Sequence, residues 1–77
     1  MLLSMLKPGE CANVVNVAAE PAMSQRLSAL GLAKGTPVAC LHKSLSGNIC
    51  AYQIRDAVIA MRRETAASVA VDIRRNI

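Results

Sequence analysis

Few side chains in this sequence can do chemistry. One histidine, His42, and three cysteines, Cys11, Cys40 and Cys50, stand beside five acids, nine lysines and arginines and a lone tyrosine, Tyr52. Thiolates and an imidazole on neighbouring strands could take Zn(II) or Fe(II), which makes Cys40, His42 and Cys50 the candidate metal set. A structural site wants four ligands, however, and beyond His42 and Cys50 that face offers only Tyr52 and a less aligned Cys40. Ligand count therefore favours plain core cysteines, small apolar side chains of a type commonly buried, and no cofactor is required. Three cysteines without C-x-x-C spacing suit reduced thiols in a cytosol better than a disulfide framework.

Enzymatic chemistry has less to stand on. Glu10, Glu20, Asp56, Glu64 and Asp72 fall in turns or at strand ends, and the histidine has no fixed carboxylate neighbour. No G-x-x-x-x-G-K-[ST] phosphate loop is present. A chain of 77 residues can hardly wall a ligand pocket of ~300 Å³ or more. No enzymatic activity is expected.

The formal charge of +4 raises nucleic acid as a partner, but the charges are dispersed. They occur singly or as the pairs Arg62 and Arg63 and Arg74 and Arg75, with Asp56, Glu64 and Asp72 close by. Single-strand binders stack bases on aromatic rings, and here there is neither Phe nor Trp. A mildly basic solvated surface is the favoured reading, and nucleic acid is not. The longest run without Asp, Glu, Lys or Arg, residues 44–54, is too short to span a bilayer, which needs ~18 apolar residues. The start, Met1 to Gly9, lacks the basic region of a secretory signal. No membrane insertion is expected, and the expected compartment is the cytoplasm.

The elements that must position these side chains follow from turn residues and apolar spacing. Residues 1–77 read as one domain. Lys7-Pro8-Gly9-Glu10 is a turn, and residues 11–17 form a first β-strand. From Pro21 the period becomes helical, with Met23, Leu27 and Leu30 at i, i+4 and i+7 and Gly31 just past the end. Residues 38–43 and 49–54 flank Ser44-Leu45-Ser46-Gly47-Asn48 as a hairpin. Pairing Lys43 with Ile49 sets His42 opposite Cys50, Cys40 opposite Tyr52 and Val38 opposite Ile54, six side chains on one face. Arg55-Asp56 turns the chain into a strand over 57–61, residues 62–68 make a turn or helical stub, and residues 69–73 form the last strand. Five short strands with one short helix after the first predict a mainly β fold, a small barrel whose curling removes exposed edges. A first or last strand left at an edge would pair copies of the chain as a homo-oligomer.

Arg26-Leu27-Ser28-Ala29-Leu30-Gly31-Leu32-Ala33-Lys34-Gly35 resembles the R-L-x-x-L-G-[hydrophobic]-x-x-G signature of the FeoA domain family. Leu6-Lys7-Pro8-Gly9-Glu10 is similar to that family's opening L-x-x-G-E, Val14 and Val17 to its first strand and Gly47 to its hairpin loop. Met61-Arg62 is similar to its L-R, which precedes an alanine, here Ala66, and a last strand, here Val69 and Val71. Lys34 stands where many members have Pro, and Met61 and the cysteines replace aliphatic residues. The resemblance implies an SH3-like β-barrel that docks on a FeoB-like membrane GTPase transporter and modulates ferrous iron uptake from the inner face of the membrane.

Arg26, Leu27, Leu30 and Gly31 are the candidate partner-binding residues: a short helix cannot hide every side, so it leaves an apolar and cationic patch. Leu27 and Gly31 have a structural reading beside this, as barrel plug and helix terminator. Arg62 and Arg63, with Arg26, are candidates for an arginine supplied to the GTPase in trans. The same fold occurs as a C-terminal module of metal-dependent repressors. The alternative function is therefore a metal-binding or nucleic-acid-binding small barrel, here with no helix-turn-helix before it.

Overall fold

Short β-prone runs make the strands, unbroken apolar over residues 38–41 and 57–61, and turn residues separate most of them. The computed structural model describes residues 1–73. A 3-10 turn, Leu3–Met5, leads into β1 (Cys11–Val17), α1 (Pro21–Ala29), β2 (Pro37–Lys43) and β3 (Ile49–Ile54). Then follow β4 (Ala57–Arg62), α2 (Arg63–Ala66) and β5 (Val69–Ile73). The mainly β class with one helix after the first strand is as expected, and the stub after β4 is the single turn of α2. The Arg74 and Arg75 pair lies outside the described residues.

The strands form one antiparallel sheet in the order β4-β3-β2-β1-β5. Its inner face supplies Ala12, Val14, Val38, Cys40, Cys50, Tyr52, Ile54, Met61, Val69 and Val71 to the core, all buried. Leu3 and Leu6 enter this core from the 3-10 turn with no exposure at all. The Tyr52 hydroxyl donates to the Leu3 carbonyl at 3.2 Å, so the one ring of the core also holds the turn in place.

The sheet differs from the expected closed barrel. β4 and β5 stand at opposite ends of the strand order and do not pair. The intervening α2 packs against β4, β3 and the 3-10 turn, and the chain's own start takes the outer side of β5. The Met1 amino group donates to Val71 O at 3.0 Å, Val71 N–H donates to Met1 O at 2.7 Å, and Leu2 bridges Ala70.

The register of the hairpin also needs correction. β2 and β3 pair as expected at Val38 with Ile54 and Cys40 with Tyr52. A bulge between Cys40 and His42 then shifts the ladder, setting His42 opposite Ala51 and Lys43 opposite Cys50. One extra residue reverses the face on which the following side chains emerge. His42 is consequently exposed, whereas Cys40 and Cys50 are buried.

Candidate functional site

The end of α1 is built from its own sequence. Pro21 occupies the first turn, where its missing N–H costs nothing. At the other end Gly31 N–H donates to Ser28 O at 2.9 Å and Leu32 N–H to Leu27 O at 2.9 Å. This pair of bonds is a Schellman motif, which calls for a positive φ at Gly31, here +104°. Leu27 and Leu32 carry the apolar contact that accompanies such a cap, and both are buried. Leu27 therefore leaves the partner-binding set: with 2% exposure it cannot reach a partner. Leu32, for which the sequence suggested no role, joins Leu27 in plugging the core.

Arg26 and Leu30 remain on the surface, one helical turn apart on the same side of α1. Leu30 is 44% exposed despite its size. A third member of this surface comes from the β3–β4 turn. A Cβ added at Gly31 would stand 3.5 Å from Arg55 Cδ and Nε and 3.0 Å from Ile54 Cγ2, so the Arg55 side chain lies across Gly31, the residue that follows Leu30. Arg55 also holds a left-handed backbone, φ 57°, a conformation unfavourable for a residue with a side chain. Arg26 and Arg55 thus both stand near the C-terminal end of α1, where the helix dipole favours cations. The end of α1 exposes one large apolar side chain, Leu30, and gathers two arginines, whose guanidinium groups suit carboxylates. No residue type announced Arg55; the only signal was a two-residue turn between strands whose first position lacks Gly or Asn.

Arg62 and Arg63 lie elsewhere, where β4 passes into α2, and both are exposed. Arg62 lines an open cleft of about 260 Å³ with Asn48, Ile49 and Glu64. Glu64 puts a carboxylate in the same cleft as the arginine, so this region is less purely cationic than the α1 surface.

The structure separates the three candidate metal ligands. Cys40 and Cys50 are core residues flanking Tyr52, His42 points outward, and no group of three or more His, Cys, Asp or Glu side chains suited to a metal ion occurs among the described residues. Burial pushes the Cys40 thiol above its ordinary value of 9.0, with Lys43 opposing the shift. Burial, and then the neighbouring Cys50, push the Tyr52 phenol upward from 10.0. Both groups hold their protons more tightly in the folded than in the unfolded chain, so the unfolded chain ionises first as pH rises. Full stability is expected below about pH 9, with progressive loss above it as unfolding releases these protons. Thermal melts between neutral and strongly alkaline pH check this; a midpoint flat through that range would show that both groups ionise freely in the fold.

Comparison with known proteins follows this geometry closely. The family model of the FeoA domain matches residues 1–73. The solution structure of a FeoA protein from Chlorobium tepidum is 38% identical, with a TM-score of 0.89 over 95% of this chain and 70% of that one. A Stenotrophomonas maltophilia FeoA complexed with zinc, described as a procaryotic SH3 domain protein, is 33% identical. Its TM-score is 0.83, over 94% of this chain and 89% of that one. A manganese-dependent transcriptional repressor shares the fold alone, at 16% identity and a TM-score of 0.86 over 96% of this chain and 41% of that one. No curated protein shows significant similarity to the chain.

Proposed function

Since the chain belongs to the FeoA domain family, we propose that it is a small cytoplasmic accessory protein of ferrous iron uptake that docks on a FeoB-like GTPase transporter and modulates it. The observation that carries this reading is the end of α1, where Leu30 is 44% exposed, Arg26 stands one turn before it and the Arg55 side chain is laid over the neighbouring Gly31. An exposed leucine with flanking arginines has the make-up of an interface centre, where an apolar anchor excludes water around charged contacts. Docking brings the protein to the inner face of the membrane through its partner; no helix among the described residues is long and apolar enough to cross a bilayer.

The relatives support the pathway and not the contact residues. The Stenotrophomonas protein is offered as a ferrous iron transport activating factor, and the zinc it carries belongs to that protein. In this chain the separation of His42 from Cys50 favours a role without a resident metal. Arg62 and Arg63 are the residues that would reach into a GTPase site, if modulation includes an arginine supplied in trans.

The test is co-purification of detergent-solubilised FeoB-type transporter with tagged wild-type protein, Arg26→Glu or Leu30→Ala. Wild type is expected to retain the transporter and both variants to lose most of it; equal retention by all three would refute docking through α1. GTP hydrolysis by the transporter's G domain, with and without the Arg62→Ala and Arg63→Ala proteins, separates a trans arginine from docking alone.

A further inference from the structure

Of the two edges of the sheet, only one is left without a partner among the described residues. β5 is bridged by Met1 and Leu2, whereas β4 pairs with β3 on one side and with no strand on the other. Natural edge strands are usually protected by Lys, Pro or a bulge. The run Ala57-Val58-Ile59-Ala60-Met61 has no charge and no Pro, and its six-residue register with β3 is uninterrupted from Ile54 with Ala57 to Ile49 with Arg62.

The direction of the free backbone groups can be read from the same register. Arg63 N–H donates to Asn48 O at 2.8 Å, one step beyond the last pair of the ladder. Hydrogen-bonded and non-hydrogen-bonded pairs alternate along an antiparallel ladder. The odd positions Ala57, Ile59 and Met61 therefore direct their N–H and C=O toward β3, and Val58, Ala60 and Arg62 direct theirs away from the sheet. A strand joining this edge must bond to those three even positions. Their side chains share the outer face, where Val58 is 64% exposed.

We propose that β4 pairs antiparallel with β4 of a second copy across a two-fold axis at Ile59. In this register Val58 bonds to Ala60 of the other copy, Ala57 faces Met61, and Asp56 faces Arg62, each contact occurring twice by symmetry; the next pair out, Arg55 with Arg63, falls beyond the strand, where Arg55 lies over Gly31 and Arg63 opens α2. Charge selects this register. Shifting the axis to Ala60 places Arg62 opposite Val58 and Arg63 opposite Ala57, with no acid against either. Shifting it to Val58 places Asp56 opposite Ala60 and Arg55 opposite Met61. Between Asp56 and Arg62, the span that can pair as strand, only the Ile59 axis sets an acid against a base, and it continues the sheet from one copy into the next.

Sedimentation velocity on the full chain, up to about 1 mM, reads the outcome. Wild type is expected to reach twice the 8.1 kDa chain mass. Ala60→Pro removes an outward donor and leaves the β3 ladder intact; it is expected to remain a monomer with unchanged circular dichroism. Asp56→Arg and Arg62→Asp are each expected to weaken association about ten-fold, and their combination to restore it. A wild type monomeric throughout, an Ala60→Pro protein that still dimerises, or a charge swap that fails to restore association would each overturn the proposal.

Discussion

Leu6→Ala and Leu3→Ala are each expected to destabilise the protein by about 2–5 kcal/mol, the range for deleting a fully buried leucine side chain. A core of this size rarely supplies more than ~3–5 kcal/mol in total, so either change should leave much of the chain unfolded at room temperature. The reason is the position of the 3-10 turn. Leu3 and Leu6 have no exposure, Tyr52 donates its hydroxyl to Leu3 O, and Lys43 Nζ donates to Ser4 O at 2.9 Å. The segment before β1 is thus part of the core, tied to β2 and β3 by polar contacts as well as packing. Urea midpoints followed by circular dichroism check the claim, with Leu6→Met as a control expected to lose less than ~1.5 kcal/mol. Losses below ~1 kcal/mol for both alanine variants would mean that the segment is an appendage.

Gly31→Ala carries the second large effect, on stability and on docking together. A side chain at φ +104° is strained at a cost of about 1–3 kcal/mol. Its Cβ would also press on Ile54 Cγ2 at 3.0 Å, a core atom that cannot move freely, and on Arg55. Gly35→Ala separates the two contributions, because Gly35 has φ +87° but nothing within 4 Å of an added Cβ. The Gly31 variant should therefore melt below the Gly35 variant, and the difference measures the contact with β3. It should also bind the transporter more weakly than its folded fraction explains, since Arg55 must leave its place over residue 31. Equal melting of the two variants would remove the case that Gly31 exists to let Arg55 and Ile54 approach.

Much of this architecture could be read before any coordinates. β1, β3 and β5 fall where β-prone residues and turn residues put them, with Ala12 and Val14, then Cys50, Tyr52 and Ile54, then Val69 and Val71 facing the core at every second position. The helix was legible from Pro21 and Gly31, two residues with fixed meanings at helix ends. The failures have equally local causes. Leu3 and Leu6 sit in a single 3-10 turn, too short to show any periodicity. The bulge after Cys40 has no marker in Leu41-His42, and that one residue was enough to move His42 from the core face to solvent. The small β fold is as expected and only its closure is missing: β4 and β5 do not pair, and the chain's start occupies the outer side of β5.

The proposed docking surface was half legible. Arg26 and Leu30 were readable as the outward side of a short helix, but spacing alone could not separate them from Leu27. The cap geometry did that, by drawing Leu27 and Leu32 inward as the apolar pair of one motif. Arg55 was invisible because its place depends on a left-handed turn residue and on the absent side chain of Gly31, facts of three dimensions only.

The central claim is that the Arg26, Leu30 and Arg55 surface docks on the cytosolic domain of a FeoB-like GTPase. Its most direct test is the equilibrium affinity of the full chain for that domain, by titration calorimetry at low and moderate salt. Wild type, Leu30→Ala, Arg26→Glu and Arg55→Ala would be compared, each first shown by thermal melting to be folded. The account predicts that Leu30→Ala weakens binding about ten-fold or more, as for the loss of an interface centre. It also predicts that Arg26→Glu and Arg55→Ala weaken binding and reduce its salt dependence. Wild-type affinity in all three variants, with wild-type salt dependence, would contradict it.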